Sequence, residues 1–186
     1  MFGHAAPFFF SVDIEGDVEN CEFACLSAES CPDASFVAAA FDVVMSERDW
    51  RAFRGRERLY EIVEVPYYSI EDGSEAGMGI MCTSSTDEQY IARWGRYDYE
   101  TKISICGGVV TQIWGWPRES KLRPCRVYLR HCVLSAQKAP LRCVLQSFLD
   151  DTFLVDRVST VRTYLERHPY VMDAVPPPEL NGRYSG

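Results

Sequence analysis

Long apolar runs are missing from this 186-residue sequence. No stretch approaches the roughly 18 residues that a membrane helix needs, and the run Phe8–Phe10 is too short for a span or a signal core. The N-terminus also lacks the basic start of a secretory signal, so a membrane-free, intracellular and cytoplasmic chain is expected. No Asn-x-Ser/Thr sequon occurs. The absence of any Cys-x2-Cys pair argues against a zinc finger or a thioredoxin-like centre. Lysine is scarce, at 3 against 16 arginines, and the first 47 residues hold nine Asp or Glu and no Lys or Arg. A net charge of −8 argues against broad, salt-driven coating of nucleic acid. It leaves room for an enzyme whose acids hold metal ions while local arginines hold phosphates. Two such arginine groups are present, Arg48 to Arg58 and Arg118 to Arg130, and a solvated face with Glu47, Asp49 and Glu57 as partners is the plainer reading of both.

Eight cysteines are present. In a chain of this length without a secretory signal they are expected as reduced thiols, several of them small buried side chains. The length suits one domain over residues 1–186 with its own core.

The hydrophobic pattern is mixed α and β. A strand is expected at about Pro7–Ile14, turning through Gly16 to pair with a second at Cys21–Ser27. Asp33 is expected to cap a helix carrying Phe36, Val37, Ala40, Phe41, Val44 and Met45 at three-and-four spacing. Leu59–Tyr68 reads as a strand interrupted by Pro66, Glu71–Gly77 as a turn, Ile80–Cys82 as a short buried strand and Thr86–Trp94 as a helix. Strand-like runs recur at Lys102–Cys106, Val109–Trp114 and Arg126–Leu134. From Pro140 to Leu165 the pattern is helical with a break near Asp150–Asp151, and residues 176–186 read as an irregular tail.

The chemistry is carried by acids at the ends of these segments. Phe8 to Ile14 is an apolar run ending in Asp13-Ile14-Glu15-Gly16. Alternation along a strand puts Asp13 and Glu15 on one face, where paired carboxylates suit a hard divalent cation. A β-hairpin with acids at its solvated end is the plain alternative. Asp87 follows the short strand at 80–82 and opens a helix, at the carboxyl end of a strand where open α/β sheets build sites. It also suits a simple helix cap. Near the end, Pro169 is placed for the first position of a helical turn, with His168 just outside it and Asp173 one turn in. A helix-terminating His-Pro pair with a solvated Asp is the alternative there.

Taken in order, Asp13, Glu15, Asp87, His168 and Asp173 resemble the DEDDh family of 3′–5′ exonucleases. The chain is similar in particular to the exonuclease domain of arenavirus nucleoproteins, through Asp13-Ile14-Glu15-Gly16, Cys21-Glu22-Phe23-Ala24, the Cys-x4-Asp spacing of Cys82 and Asp87, and the run from His168 to Ala174. The resemblance implies an RNase H-like fold with a mixed central sheet flanked by helices. It implies a viral protein in a larger nucleoprotein assembly, acting on single- or double-stranded RNA. It further implies a two-metal site of Mg²⁺ or Mn²⁺ on Asp13, Glu15, Asp87 and Asp173, with His168 as general base. Arg123, Arg126 and Arg130 would contact phosphates. A structural Zn²⁺ is also implied, with Glu22, Cys125 and Cys132 as candidate ligands.

The chain departs from the family at Thr83, Ser84 and Thr86, where many relatives carry His-Asn and Phe, and at Pro169, where the arenavirus domains carry a cysteine. Asp98 is a rival to Asp87 for the third acid. Two other functions stand beside the exonuclease. One is the same fold without catalysis, serving as an interaction module. The other is an unrelated thiol enzyme, with Cys125 activated between Arg123 and Arg126 and His131 as its base.

Overall fold

The computed structural model describes residues 1–6, 20–105 and 107–186. The expected strand at 7–14, together with Asp13, Glu15 and Cys106, lies outside the described residues. In chain order the elements are β1 (Phe2–Ala5), β2 (Glu22–Leu26), α1 (Glu47–Arg56), β3 (Glu61–Tyr68), β4 (Glu75–Thr83), α2 (Asp87–Trp94), α3 (Arg96–Ser104), β5 (Arg123–Pro124), α4 (Arg126–Gln137), α5 (Arg142–Asp150), α6 (Val161–Arg167) and α7 (Asn181–Tyr184), with 3₁₀ turns at Pro169–Asp173 and Pro178–Leu180. The protein is mixed α/β. No helix among the described residues is long and apolar enough to cross a membrane.

Two small sheets organise it. β2 is the middle strand of a three-stranded sheet, antiparallel to β1 and parallel to β5. Its first four residues, Glu22 to Cys25, are all buried, as befits a strand covered on both faces. Phe2, Phe23, Tyr90, Ile113, Leu129 and Val161 are almost completely enclosed and form the centre of the core. β3 and β4 pair with each other in an antiparallel hairpin. An isolated bridge between Ala28 and Thr83 ties the base of this hairpin to the segment after β2.

Several expectations hold. β2 falls inside Cys21–Ser27, β3 inside Leu59–Tyr68, and α2 follows Thr86, whose side chain accepts from the Gln89 amide. The interruption expected at Pro66 is absent, since β3 runs through it with Pro66 opposite Met78. α5 ends at Asp150 with Asp151 as its cap, and α6 runs on to Arg167. His168 caps a 3₁₀ turn that begins at Pro169 and ends at Asp173, in keeping with the His-Pro pair.

Others are corrected. The helix expected from Asp33 through Met45 is absent. Phe41 is 81% exposed and Val44 fully so, and an apolar stripe left this exposed gains little from helix formation. Helix α1 begins instead at Glu47, where Ser46 and Asp49 form a capping box. Of the strand expected at Lys102–Cys106, Lys102 to Ser104 instead finish helix α3. Val109–Trp114 is irregular. The run Arg126–Leu134 is helix α4; its buried Val127, Leu129 and Val133 mimic strand alternation, but the segment is 12 residues long. The strand before Asp87 is neither short nor buried, since β4 spans nine residues and Ile80 is 46% exposed. The tail is folded, with Tyr184 buried against His131 at a ring distance of 5.7 Å.

Candidate functional site

Strand β5 is only two residues long, but its register places two distant charged residues side by side. It sets Arg123 beside Glu22 on the parallel neighbour β2, with the Arg123 amide donating to the Cys21 carbonyl at 2.9 Å. Pro124 pairs with Ala24, and Cys125, whose amide donates to the Ala24 carbonyl at 3.1 Å, caps α4. The first residue of that helix, Arg126, turns back onto β2. Its Nε donates to Glu22 Oε2 at 2.5 Å. Tyr170, on the 3₁₀ turn, donates its hydroxyl to Glu22 Oε1 at 3.0 Å. Both oxygens of a carboxylate with no solvent exposure are therefore engaged, which offsets the cost of burying the charge. The Arg126 guanidinium also lies 5.5 Å from the centre of the Tyr170 ring, within cation–π reach.

His168 stands at the edge of this group. Its amide closes α6 by donating to the Tyr164 carbonyl at 2.9 Å, and its own carbonyl accepts from Val171. The imidazole is 4.5 Å from the Tyr164 ring and 5.7 Å, edge-on, from that of Tyr170. Partial burial and the neighbouring Arg123 charge lower its pKa below the ordinary histidine value, and the Glu22 carboxylate opposes them. Burial and Glu22 raise the Tyr170 pKa. Arg130 donates from Nε to the Met172 carbonyl at 3.1 Å, tying the turn to α4, and Asp173 is exposed at the turn's end. The hydroxyl of Tyr164 is buried without a partner among the described residues.

The structure thus gathers Glu22, Arg123, Arg126, Arg130, His168 and Asp173 around one turn. Tyr164 and Tyr170 were missed in the sequence. The available signal was position alone: Tyr164 lies one helical turn before His168, and Tyr170 two residues after it.

Asp87 has different company. As the first residue of α2 it accepts from the Trp114 amide at 2.9 Å, from the Ile113 amide at 3.2 Å and from the Tyr99 hydroxyl. It lines a cleft of about 450 Å³ together with Glu29, Ser84, Trp116 and Arg157. In this arrangement its carboxylate clamps the 113–114 loop. Asp98 is likewise engaged, accepting from the Tyr90 hydroxyl and pairing with Arg58 at 3.0 Å. Burial works against the Asp98 carboxylate, but those two partners hold its pKa below the usual value.

Of the residues suggested for a structural zinc, Glu22 is taken up by Arg126 and Tyr170. Cys125 and Cys132 face the core instead, and burial pushes both thiols up to about 12. That also corrects the idea of an activated Cys125, since the thiolate is the reactive form. His131 is turned to the C-terminus, where its Nδ1 accepts from the Gly186 amide at 3.0 Å.

Compared with known proteins, the chain matches no family model, no curated protein and no solved structure.

Proposed function

We propose that the chain is an exonuclease of the DEDDh type that removes nucleotides from the 3′ end of RNA, on an RNase H-like arrangement of its strands. The observation that carries this reading is the His168 turn. A histidine with a lowered pKa stands beside Arg123 and near Arg126, with Asp173 at the other end of the same 3₁₀ turn.

The chemistry rests on these residue types. A general base must be unprotonated at working pH, and the surroundings of His168 favour its neutral form. Its imidazole would take the proton from a water whose oxygen attacks the terminal phosphorus as the bond to the 3′ oxygen breaks. The Arg123 guanidinium would hold the phosphate. Asp13, Glu15 and Asp173, with Asp87 or Asp98 as the fourth acid, are the residues to hold a pair of Mg²⁺ or Mn²⁺ ions, which when bound supply Lewis-acid stabilisation of phosphoryl oxygens.

The test is degradation of a 5′-labelled RNA, single- and double-stranded, with Mn²⁺ and with EDTA. Stepwise shortening from the 3′ end is expected, lost on chelation and in Asp13→Ala. An Asp13→Ala protein that shortens RNA at the wild-type rate would remove the assignment.

One observation favours a second reading, in which the same domain binds a partner or RNA without cutting it. Both candidates for the fourth acid are already engaged by protein groups. RNA binding without Mn²⁺-dependent shortening would establish that reading.

A further inference from the structure

Glu22 is the one carboxylate among the described residues with no exposure at all, and three elements of the fold converge on it. Strand β2 supplies the acid, α4 supplies Arg126, and the turn after α6 supplies Tyr170. A buried charge is a costly way to join elements that apolar side chains could join. What a paired carboxylate adds is direction: each oxygen fixes one donor at hydrogen-bond distance, and the two donors here also stack on each other.

Tyr170 is joined to His168 through Pro169, whose ring fixes one of the intervening backbone dihedrals. It also meets the imidazole edge-on. The Tyr164 ring lies against the same imidazole at 4.5 Å. His168 therefore meets two tyrosine rings, and Tyr170 is the one whose hydroxyl is bonded to the Glu22 carboxylate.

We propose that Glu22, Arg126 and Tyr170 form a clasp that positions the His168 imidazole, with Tyr170 as the positioning residue that acts on it directly. The consequence for turnover rests on the exonuclease reading; the geometric claim about His168 does not. The groups facing His168 are Tyr164 and Arg167 from α6, Arg123 from β5, Glu22 from β2 and Tyr170 from its own turn. Removing the Tyr170 hydroxyl deletes no charged group and leaves Arg126 on the other Glu22 oxygen, while it cuts the bond that ties Tyr170 to β2. A change at His168 in that variant therefore reports position rather than lost charge.

The experiment compares wild type, Tyr170→Phe and Glu22→Gln by carbon–proton NMR of the histidine rings. The chain has three histidines, so each signal can be assigned by single substitution. In Tyr170→Phe the His168 ring signals should move and broaden, while those of His4 and His131 stay where they are. Turnover of RNA should fall roughly 10- to 10²-fold with KM within about twofold, as expected when a reacting group is displaced while binding is kept. Glu22→Gln should show the same NMR change more strongly. If that variant fails to fold, Tyr170→Phe carries the test, since it deletes one oxygen from a half-exposed ring. Unmoved His168 signals in folded Tyr170→Phe overturn the clasp, whatever the activity. Altered His168 signals in a protein that never shortens RNA uphold the clasp and remove the exonuclease reading instead.

Discussion

Asp87 Oδ1 accepts the backbone amide of Trp114 at 2.9 Å, across 27 positions of sequence. With the Ile113 amide and the Tyr99 hydroxyl on the same carboxylate, the acid that opens α2 is the anchor of a distant irregular loop. Asp87→Asn keeps the shape but sets an amide NH₂ against backbone donors. Leaving such donors poorly satisfied should cost about 1–3 kcal/mol. Urea unfolding should show a lower midpoint with an unchanged slope. A variant as stable as wild type would mean that the clamp contributes nothing. A wild-type midpoint raised by Mn²⁺, with no rise in Asp87→Asn, would give the residue to the metal instead.

His168→Ala separates a proton acceptor from a helix terminator. As general base it should matter to turnover and little to binding, so kcat should fall by roughly 10²–10⁴-fold with RNA affinity near wild type. A terminator would change stability slightly and activity hardly at all. Burial and Arg123 lower the His168 pKa, so the acidic limb of the wild-type rate profile should lie below the ordinary histidine value. A limb above about pH 6.5 would contradict the surroundings described for this residue.

His4 predicts an acid weakness unconnected with catalysis. It is fully buried, stacked on Trp114 at 4.2 Å, and neither ring nitrogen has a partner among the described residues. Burial lowers its pKa to about 3. Above about pH 6.5 the imidazole is neutral in both folded and unfolded chains. Below that, the unfolded chain takes up a proton that the folded chain refuses, so stability falls as pH drops, by up to about 1.4 kcal/mol per pH unit. The window closes near pH 3, where the folded form also protonates. His4→Phe keeps a ring against Trp114 and removes the titration. Unfolding midpoints measured at pH 7 and pH 5 should differ less in the variant than in wild type, and equal differences would refute the account.

What the sequence disclosed was local. Thr86 before Asp87, the His168-Pro169 pair and the stop at Asp150 carry their meaning within four residues, and each appears where the pattern put it. What it hid depends on partners far along the chain. Phe36 to Met45 has helical spacing, yet spacing cannot say whether another element will cover the stripe, and Phe41 and Val44 face solvent. The apolar run at 109–114 reads as a strand, but the Ile113 and Trp114 amides go to Asp87 rather than to a neighbouring strand. In the candidate site, His168 and its turn were legible. Glu22 and Arg126 stood out too, but as a zinc ligand and a phosphate contact, and nothing local says that they pair with each other. Tyr164 and Tyr170 were legible only by their spacing from His168, since a tyrosine's partner is set by tertiary packing.

The clasp on Glu22 joins residues separated by 104 and 148 positions. Local helices form quickly, whereas contacts this distant must wait for much of the chain to be ordered between them. During synthesis the chain emerges from its N-terminus, so Glu22 is made 148 residues before its hydroxyl donor. A ribosome-bound fragment ending before Tyr170 can build the sheet and most helices but holds a buried carboxylate with one oxygen unanswered. Whatever the His168 turn does, it begins only once the chain has grown past Tyr170.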